Sequence, residues 1–308
     1  MAIKVVGTVL MLQLILISLL GAEAIFYVWL CLFLAGRDVS GSAIAALVLL
    51  IALLWRLSHA LGSFVVTSML RVRDGRTLPW GNSLTALANE FAARLVCFNW
   101  AQAFPGLALG PDPHGRRDGV PILLVHGYVC NRGLWVAMSK MLAAAGLGPI
   151  YTVSLTPLFS GIDTLVPKLT ARIEAICAET GAAKVMIVAH SMGGLVARAY
   201  LAQTDSSRVA KLVTLGSPHR GTQLTRFGLG INASQMSAQS VWLKDLANRE
   251  MGRVPPATLS IYTLNDDLVY PPESSALTWA ENVPVSAIGH MGLVFSDAVA
   301  GRVIRYLR

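Results

Sequence analysis

Charge is scarce in this chain. Asp, Glu, Lys and Arg make up 14% of 308 residues, while 54% are hydrophobic, a balance few water-soluble enzymes show. Acidic residues are the scarcer kind, 17 against 25 Lys and Arg, which leaves a formal charge of +8. That excess of base does not define a nucleic-acid binder, because the basic residues form no stripe with interleaved aromatics. Cysteine is sparse too. Cys31, Cys97, Cys130 and Cys177 have neither the pairing of a disulfide framework nor the spacing of a zinc site.

The hydrophobic excess, a mean hydropathy of +0.58 over the chain, is concentrated in the first seventy or so residues. From Val5 to Leu34 the only formally charged residue is Glu23, and roughly twenty such residues cross a bilayer core as a helix. The polar link Gly36 to Gly41 follows. A second apolar run extends from Ser42 to Leu70, interrupted by Arg56 and His59. The pattern predicts two membrane spans forming a hairpin. The first run is longer than a span needs, so either the helix tilts or Glu23 marks an interfacial break, and Arg56 is expected to snorkel toward a surface. A cleaved signal peptide ending near Ala22-Glu23-Ala24 is an alternative. So are one signal anchor followed by a soluble helix, and a helical pair packed inside the fold. Lys4 before the first run, and Arg71, Arg73 and Arg76 after the second, place both ends on the cytoplasmic side of an inner membrane. Those arginines and the pair Arg116-Arg117 suit an anionic membrane surface.

Residues 73–119 read as a linker with one helix, Ser83 to Trp100, whose apolar residues recur at helical spacing. From Val120 onward, strands and helices alternate. Strand-like runs are Pro121 to Val125, Ile150 to Leu155, Val185 to Ala189, Val209 to Leu215, Thr258 to Leu264 and Val283 to Ile288. Helix-like runs are Leu134 to Ala145, Ile162 to Glu179, Met192 to Gln203 and Leu293 to Leu307. Strands that are apolar throughout are expected where helices cover both faces of a parallel sheet. The chain thus divides into 1–72, 73–119 and 120–308. Segment 220–256 breaks the alternation, with helix-like residues near Ser234 to Lys244, and is expected to lie over the active site as a lid.

One string carries chemistry. Val185 to Val188 lead into Ala189-His190-Ser191-Met192-Gly193, and a helix-like run follows at once. A serine at a strand-to-helix turn with small residues two before and two after it is a nucleophile elbow. A serine hydroxyl needs a base, and the base needs an acid to orient it. Only His219 and His290 follow Ser191. His219 comes too soon to leave a strand for the acid, so His290 is the expected base. Asp266 is the expected acid in an Asp-x-x-Val turn, with Asp267 its competitor. His126 and His190 are expected to brace and pack rather than react, with His190 pointing away from the position a triad histidine needs. Cys130, near the loop after the first strand, finds no histidine–acid arrangement that favours it as nucleophile.

Taken together, LLVHGY, AHSMGGLVARAY, LGSPHRGT, NDDLVYP and GHMGL resemble the motifs of bacterial lipases and esterases of the α/β-hydrolase superfamily, triacylglycerol-lipase-like, over Pro121 to Arg308. The resemblance implies an α/β-hydrolase fold, a mostly parallel sheet with helices on both faces, here preceded by a two-helix transmembrane region. It also implies a triad of Ser191, Asp266 and His290, and oxyanion donors in the backbone N–H groups of Tyr128 and Met192. Ala189 stands where the elbow commonly has glycine. The expected activity is hydrolysis of carboxylic esters of lipid-like substrates through an acyl-enzyme, without metal or cofactor. Acyl transfer or thioester hydrolysis by the same triad is an alternative, as is a membrane scaffold that keeps the fold alone. Leu155, Leu158, Phe159, Leu224, Phe227, Leu229 and Trp242 are the residues expected to surround an acyl chain.

Overall fold

A run of short apolar strands, each followed by a helix, can bury both faces only as a parallel sheet between helical layers. The computed structural model, which describes residues 11–115, 118–204 and 206–308, has that arrangement. Lys4 and the Arg116-Arg117 pair lie outside the described residues. Six parallel strands, β1 (Ile122–Val125), β2 (Ile150–Val153), β3 (Val185–His190), β4 (Val209–Leu215), β5 (Ala257–Thr263) and β6 (Glu281–Val285), are ordered β2-β1-β3-β4-β5-β6.

Successive side chains of a strand point to opposite faces, and the core divides accordingly. Leu123, Val125, Ile187 and Ala189 pack beneath α6 (Ile162–Thr180) and α7 (Met192–Gln203). Ile122, Leu124, Met186 and Val188 pack beneath α5 (Val136–Ala144) and α10 (Asp297–Leu307). The carboxyl ends of β1, β3 and β5 deliver His126, Ser191 and Asp266 to one edge of the sheet. That edge is where open parallel sheets hold their sites.

Two long helices precede the sheet. Helix α1 (Met11–Ala35) and helix α2 (Gly41–Arg73) are roughly 37 and 50 Å long at 1.5 Å per residue. Both are long and apolar enough to cross a membrane. Their outer faces are bare: Ile25 is 72% exposed, Leu32 70% and Leu49 70%. The lower end of α1 is seated on the rest of the protein, where Leu12 and Leu16 pack with Ala103 and Leu158. Helix α3 (Trp80–Val96) continues through a π-helical turn at Cys97–Ala101, then a short helix α4 (Pro105–Leu109).

Several expectations are corrected here. Glu23 does not break α1, which runs through it without interruption. Arg56 does not snorkel: its guanidinium grips Glu23 at 2.5 and 2.9 Å and donates to Asn99 Oδ1 at 3.1 Å. An opposite charge one helix away removes the need to reach water. The basic cluster after the second run is not a free membrane-binding patch either. Arg71 is buried and donates to the backbone carbonyls of Asp266 and Leu264 at 2.9 and 3.3 Å. Arg73 pairs with Asp74 and Arg76 with Glu273.

Element boundaries also differ. The last strand ends at Val285, because the chain turns through Ala287 at φ +59°. The last helix begins at Asp297, where Ser296 Oγ accepts from Val299 N and caps it. The helix-like pieces expected near Ser234 to Lys244 are two helices, α8 (Gly230–Gln235) and α9 (Val241–Glu250). Gln239 at φ +61° and the Ser240 cap separate them.

Candidate active site

Ser191 sits between the end of β3 and the start of α7 at φ +54°, ψ −127°. A non-glycine residue held there costs about 1–3 kcal/mol and persists only where its surroundings fix it. Ser191 N donates to Leu215 O at 2.9 Å, tying the turn to β4. Gly193 explains the small residue after the serine. A Cβ there would lie 2.5 Å from Val125 O and 2.7 Å from His126 O, so α7 could not approach β1. Gly127 does the same from the facing loop, where a Cβ would meet Ser191 Cβ at 2.8 Å. The loop that carries Tyr128 is thereby drawn up against the serine.

His290 and Asp266 are within hydrogen-bonding reach of each other. His290 Nδ1 lies 2.9 Å from Asp266 Oδ2, with both side chains buried. A carboxylate accepts, so Nδ1 carries the proton and Nε2 is left to accept. Asp266 Oδ1 accepts from Leu268 N and Val269 N at 2.9 and 2.7 Å, which fixes the carboxylate and accounts for the Asp-x-x-Val spacing. Burial pulls His290 toward the neutral form. The charge and hydrogen bond of Asp266, with Asp267 and Glu90 behind it, outweigh that pull and raise its pKa above the usual histidine value.

Asp267 also reaches His290, but at a different atom. Its Oδ1 accepts from the His290 backbone N at 3.1 Å, and its Oδ2 accepts from Arg94 at 2.5 Å and Ser63 Oγ at 2.6 Å. The geometry therefore separates the two neighbouring acids: Asp266 faces the imidazole, and Asp267 holds the main chain beneath it.

Helix α3 supplies two residues that sequence reasoning missed. Glu90 is fully buried, and its Oε2 accepts from Met291 N at 2.7 Å and Gly292 N at 3.0 Å. Arg94 bridges Glu90 and Asp267. Burial and the nearby Asp267 charge raise the Glu90 pKa. The only signal in the sequence is an i,i+4 Glu–Arg pair, which on most helices is a solvated surface contact.

The other histidines have structural partners. His126 Nδ1 lies 2.9 Å from Gly127 O, its Nε2 accepts from Leu155 N at 2.8 Å, and burial pushes its pKa down to about 4. His190 packs against His290. The two ring centroids are 4.6 Å apart, and His190 Nε2 lies 3.2 Å from His290 O. Burial, then the charge of His290, holds it well below the usual histidine range. His219 bonds Thr214 Oγ1 at 3.0 Å. Cys130 is buried, and that burial lifts its thiol to about 12, far from a reactive thiolate.

Ser191 and His290 line one cavity of about 540 Å³ with Tyr128, Val129 and Met291. Of the seven residues expected around an acyl chain, only Leu224 and Phe227 line it. Leu155 belongs to the core under α6, Leu158 packs on Leu12, and Trp242 Nε1 donates to Asp163 at 2.6 Å. Tyr128 Oη accepts from Leu229 N at 2.8 Å and donates to Leu229 O at 2.7 Å, pinning segment 227–231 beside the mouth. Part of the wall comes from an unexpected place: Gly62, Ser63 and Val66 of helix α2.

A parallel sheet of this order, with a strained serine after β3 and a histidine–aspartate pair beyond β5 and β6, has the α/β-hydrolase fold. Residues 163–288 match the PGAP1-like alpha/beta domain. The chain is 32% identical over 171 residues to a triacylglycerol lipase of Burkholderia plantarii, covering 53% of this chain and 45% of that one. It is 32% identical over 115 residues to a triacylglycerol lipase of Pseudarthrobacter phenanthrenivorans, covering 35% of each. The match thus spans less than half the length of either curated relative. Among solved structures, the mature lipase BlEst2 of Bacillus licheniformis superposes with a TM-score of 0.56 at 17% identity, over 64% of this chain and 95% of that one. Lipase B of Aspergillus fumigatus gives 0.55 at 16% identity, over 61% and 52%.

Proposed function

We infer that the protein is a membrane-anchored carboxylic ester hydrolase of the lipase/esterase kind, acting through an acyl-enzyme on Ser191. The observation that carries this reading is the His290 Nδ1 to Asp266 Oδ2 hydrogen bond at 2.9 Å, made beside the cavity that Ser191 also lines. With Nδ1–H donated to the carboxylate, Nε2 takes the Ser191 proton as Oγ attacks the acyl carbon. The same imidazolium then protonates the departing alkoxide. Water, deprotonated by Nε2, attacks the acyl-enzyme, releases the carboxylic acid and returns the proton to Ser191.

The carbonyl oxygen gains charge at each attack and needs donors already in place. The backbone N–H groups of Met192, first in α7, and Tyr128, carried beside Ser191 by Gly127, are assigned that role. The positive end of α7 favours the same charge. The largely apolar cavity and the triacylglycerol lipases among the relatives support a lipid-like ester as substrate. Helices α1 and α2 anchor the protein in the membrane, and the Lys and Arg bias around them favours a cytoplasmic catalytic domain. Segment 220–256, which brings Leu224 and Phe227 to the cavity, serves as the lid.

A fluorophosphonate probe on the full-length protein tests the chemistry. Labelling and p-nitrophenyl ester hydrolysis that both vanish in Ser191→Ala support it. Ester hydrolysis that persists in that variant, or wild-type protein that takes no label, overturns it. Protease accessibility in sealed vesicles tests the sidedness.

A further inference from the structure

A second cavity, of about 710 Å³, lies between α1, α2 and α3, within the size range of small-molecule sites. Its rim includes Leu19, Phe26 and Trp55, which are 62%, 43% and 57% exposed on the outer apolar surface of the helix pair. Its inner end is formed by Arg94 and Phe98, and both also line the cavity of Ser191. The two spaces are therefore opposite sides of one partition.

They also share a helix face. Trp55 and His59 of α2 line the outer cavity, and Gly62 and Val66 line the inner one. These positions are four, three and four residues apart, so they stack on one side of the helix. The track they form is about 16 Å long at 1.5 Å per residue. Where it passes between the cavities the helix carries Gly62, and among the described residues no heavy atom beyond its chain neighbours and the helix's own nearby backbone lies within 4 Å of where its Cβ would be. A glycine weakens a helix interior relative to alanine, and here it leaves an open space at the junction.

The charges along the track are already matched. Arg56 is held by Glu23, and Arg94 by Glu90 and Asp267. Neither arginine is left for a phosphate, and a ligand entering here meets apolar walls and neutralised pairs.

We propose that the substrate is an uncharged ester lipid of the bilayer, a mono- or diacylglycerol, that enters sideways between α1, α2 and α3 and passes Phe98 and Gly62 to reach Ser191. This rests on the hydrolase reading given above. The hydrocarbon-facing rim lets an acyl chain leave the bilayer without crossing water, and the absence of an unpaired arginine or lysine among the described residues of these linings disfavours phospholipid.

The test uses the full-length chain in phosphatidylcholine nanodiscs containing dioleoylglycerol, with p-nitrophenyl butyrate supplied from water as the second substrate. Leu20→Trp and Ile51→Trp narrow the outer cavity. The ratio of dioleoylglycerol to butyrate turnover is expected to fall about tenfold or more in both; an unchanged ratio overturns the route. In parallel, a diacylglycerol with a diazirine in its acyl chain is photolysed in wild-type protein, which needs no variant to fold. Cross-links to α1 and α3 support the route, and cross-links confined to segment 220–256 overturn it. Phosphatidylcholine cleaved as fast as dioleoylglycerol overturns the uncharged class. Failure of wild-type protein to cleave butyrate would instead strike the hydrolase reading itself.

Discussion

Ser63 Oγ donates to Asp267 Oδ2 at 2.6 Å, joining an apolar helix to the loop under His290 across 204 positions of chain. The same carboxylate holds Arg94 and the His290 main chain. Asp266 and Asp267, adjacent in sequence, therefore do different work, and their variants should fail differently. Asp266→Asn should leave the fold intact and lower kcat by about three to four orders of magnitude, because the imidazole loses its tautomer. Asp267→Asn should act mainly on stability, by about 3–5 kcal/mol, since Arg94 loses one of its two buried partners. Steady-state kinetics with thermal unfolding of both variants would distinguish them.

The acid side of the activity profile should sit at higher pH than an ordinary histidine gives. His290 must be neutral to accept a proton, and its pKa is raised: burial lowers it, but Asp266 raises it further. Activity should therefore climb with pH through a midpoint above about 6.5. Asp266→Asn should shift that midpoint downward, leaving burial to dominate. Stability runs the opposite way. The histidine–aspartate attraction is fully present below the unfolded pKa and lost as pH rises through the folded one. Profiles of kcat/KM and melting temperature over the same buffers would check both signs.

Glu90→Gln should destabilise the protein by about 1–3 kcal/mol, because an amide cannot accept from Met291 N, Gly292 N and Arg94 together. Movement of the His290 loop should lower kcat and leave KM for a short ester unchanged. A Glu90→Asp variant, which keeps the charge with a shorter reach, should recover part of the loss. Equal kcat in Glu90→Gln and wild type would remove Glu90 from the positioning of His290.

Arg56→Leu alone should lower the melting temperature in detergent more than the double change Glu23→Leu with Arg56→Leu. Breaking one side of such a pair leaves an uncompensated carboxylate among apolar helices, at about 3–5 kcal/mol, whereas removing both does not. A double-mutant cycle gives the coupling directly.

The legible parts of the chain were those governed by local rules. Helix α7 begins and ends where the residues indicated, Met192 to Gln203, because a glycine pair opens it and an apolar run continues it. The strand-to-helix turn pointed to Ser191, the order along the chain to His290, and the Asp-x-x-Val spacing to Asp266 with Asp267 its competitor. What the sequence hid was long-range. Glu90 and Arg94 look like any exposed i,i+4 pair, and Ser63 looks like a small residue in a greasy run. Leu155, Leu158 and Trp242 follow site residues along the chain but lie in the core or against other helices. Nothing local distinguishes them from Val66, which is distant in sequence and lines the cavity.

An interchangeable tether would tolerate any apolar segment of similar length. Helix α2 has no such freedom, because one of its turns is a side of the chamber that holds the serine and its last turn clasps the loop of the partner acid. A fragment trimmed to the sheet and its helices for the sake of solubility would emerge with an open flank and a loosened aspartate. Its sluggishness would then be a product of the trimming, and no guide to the intact protein.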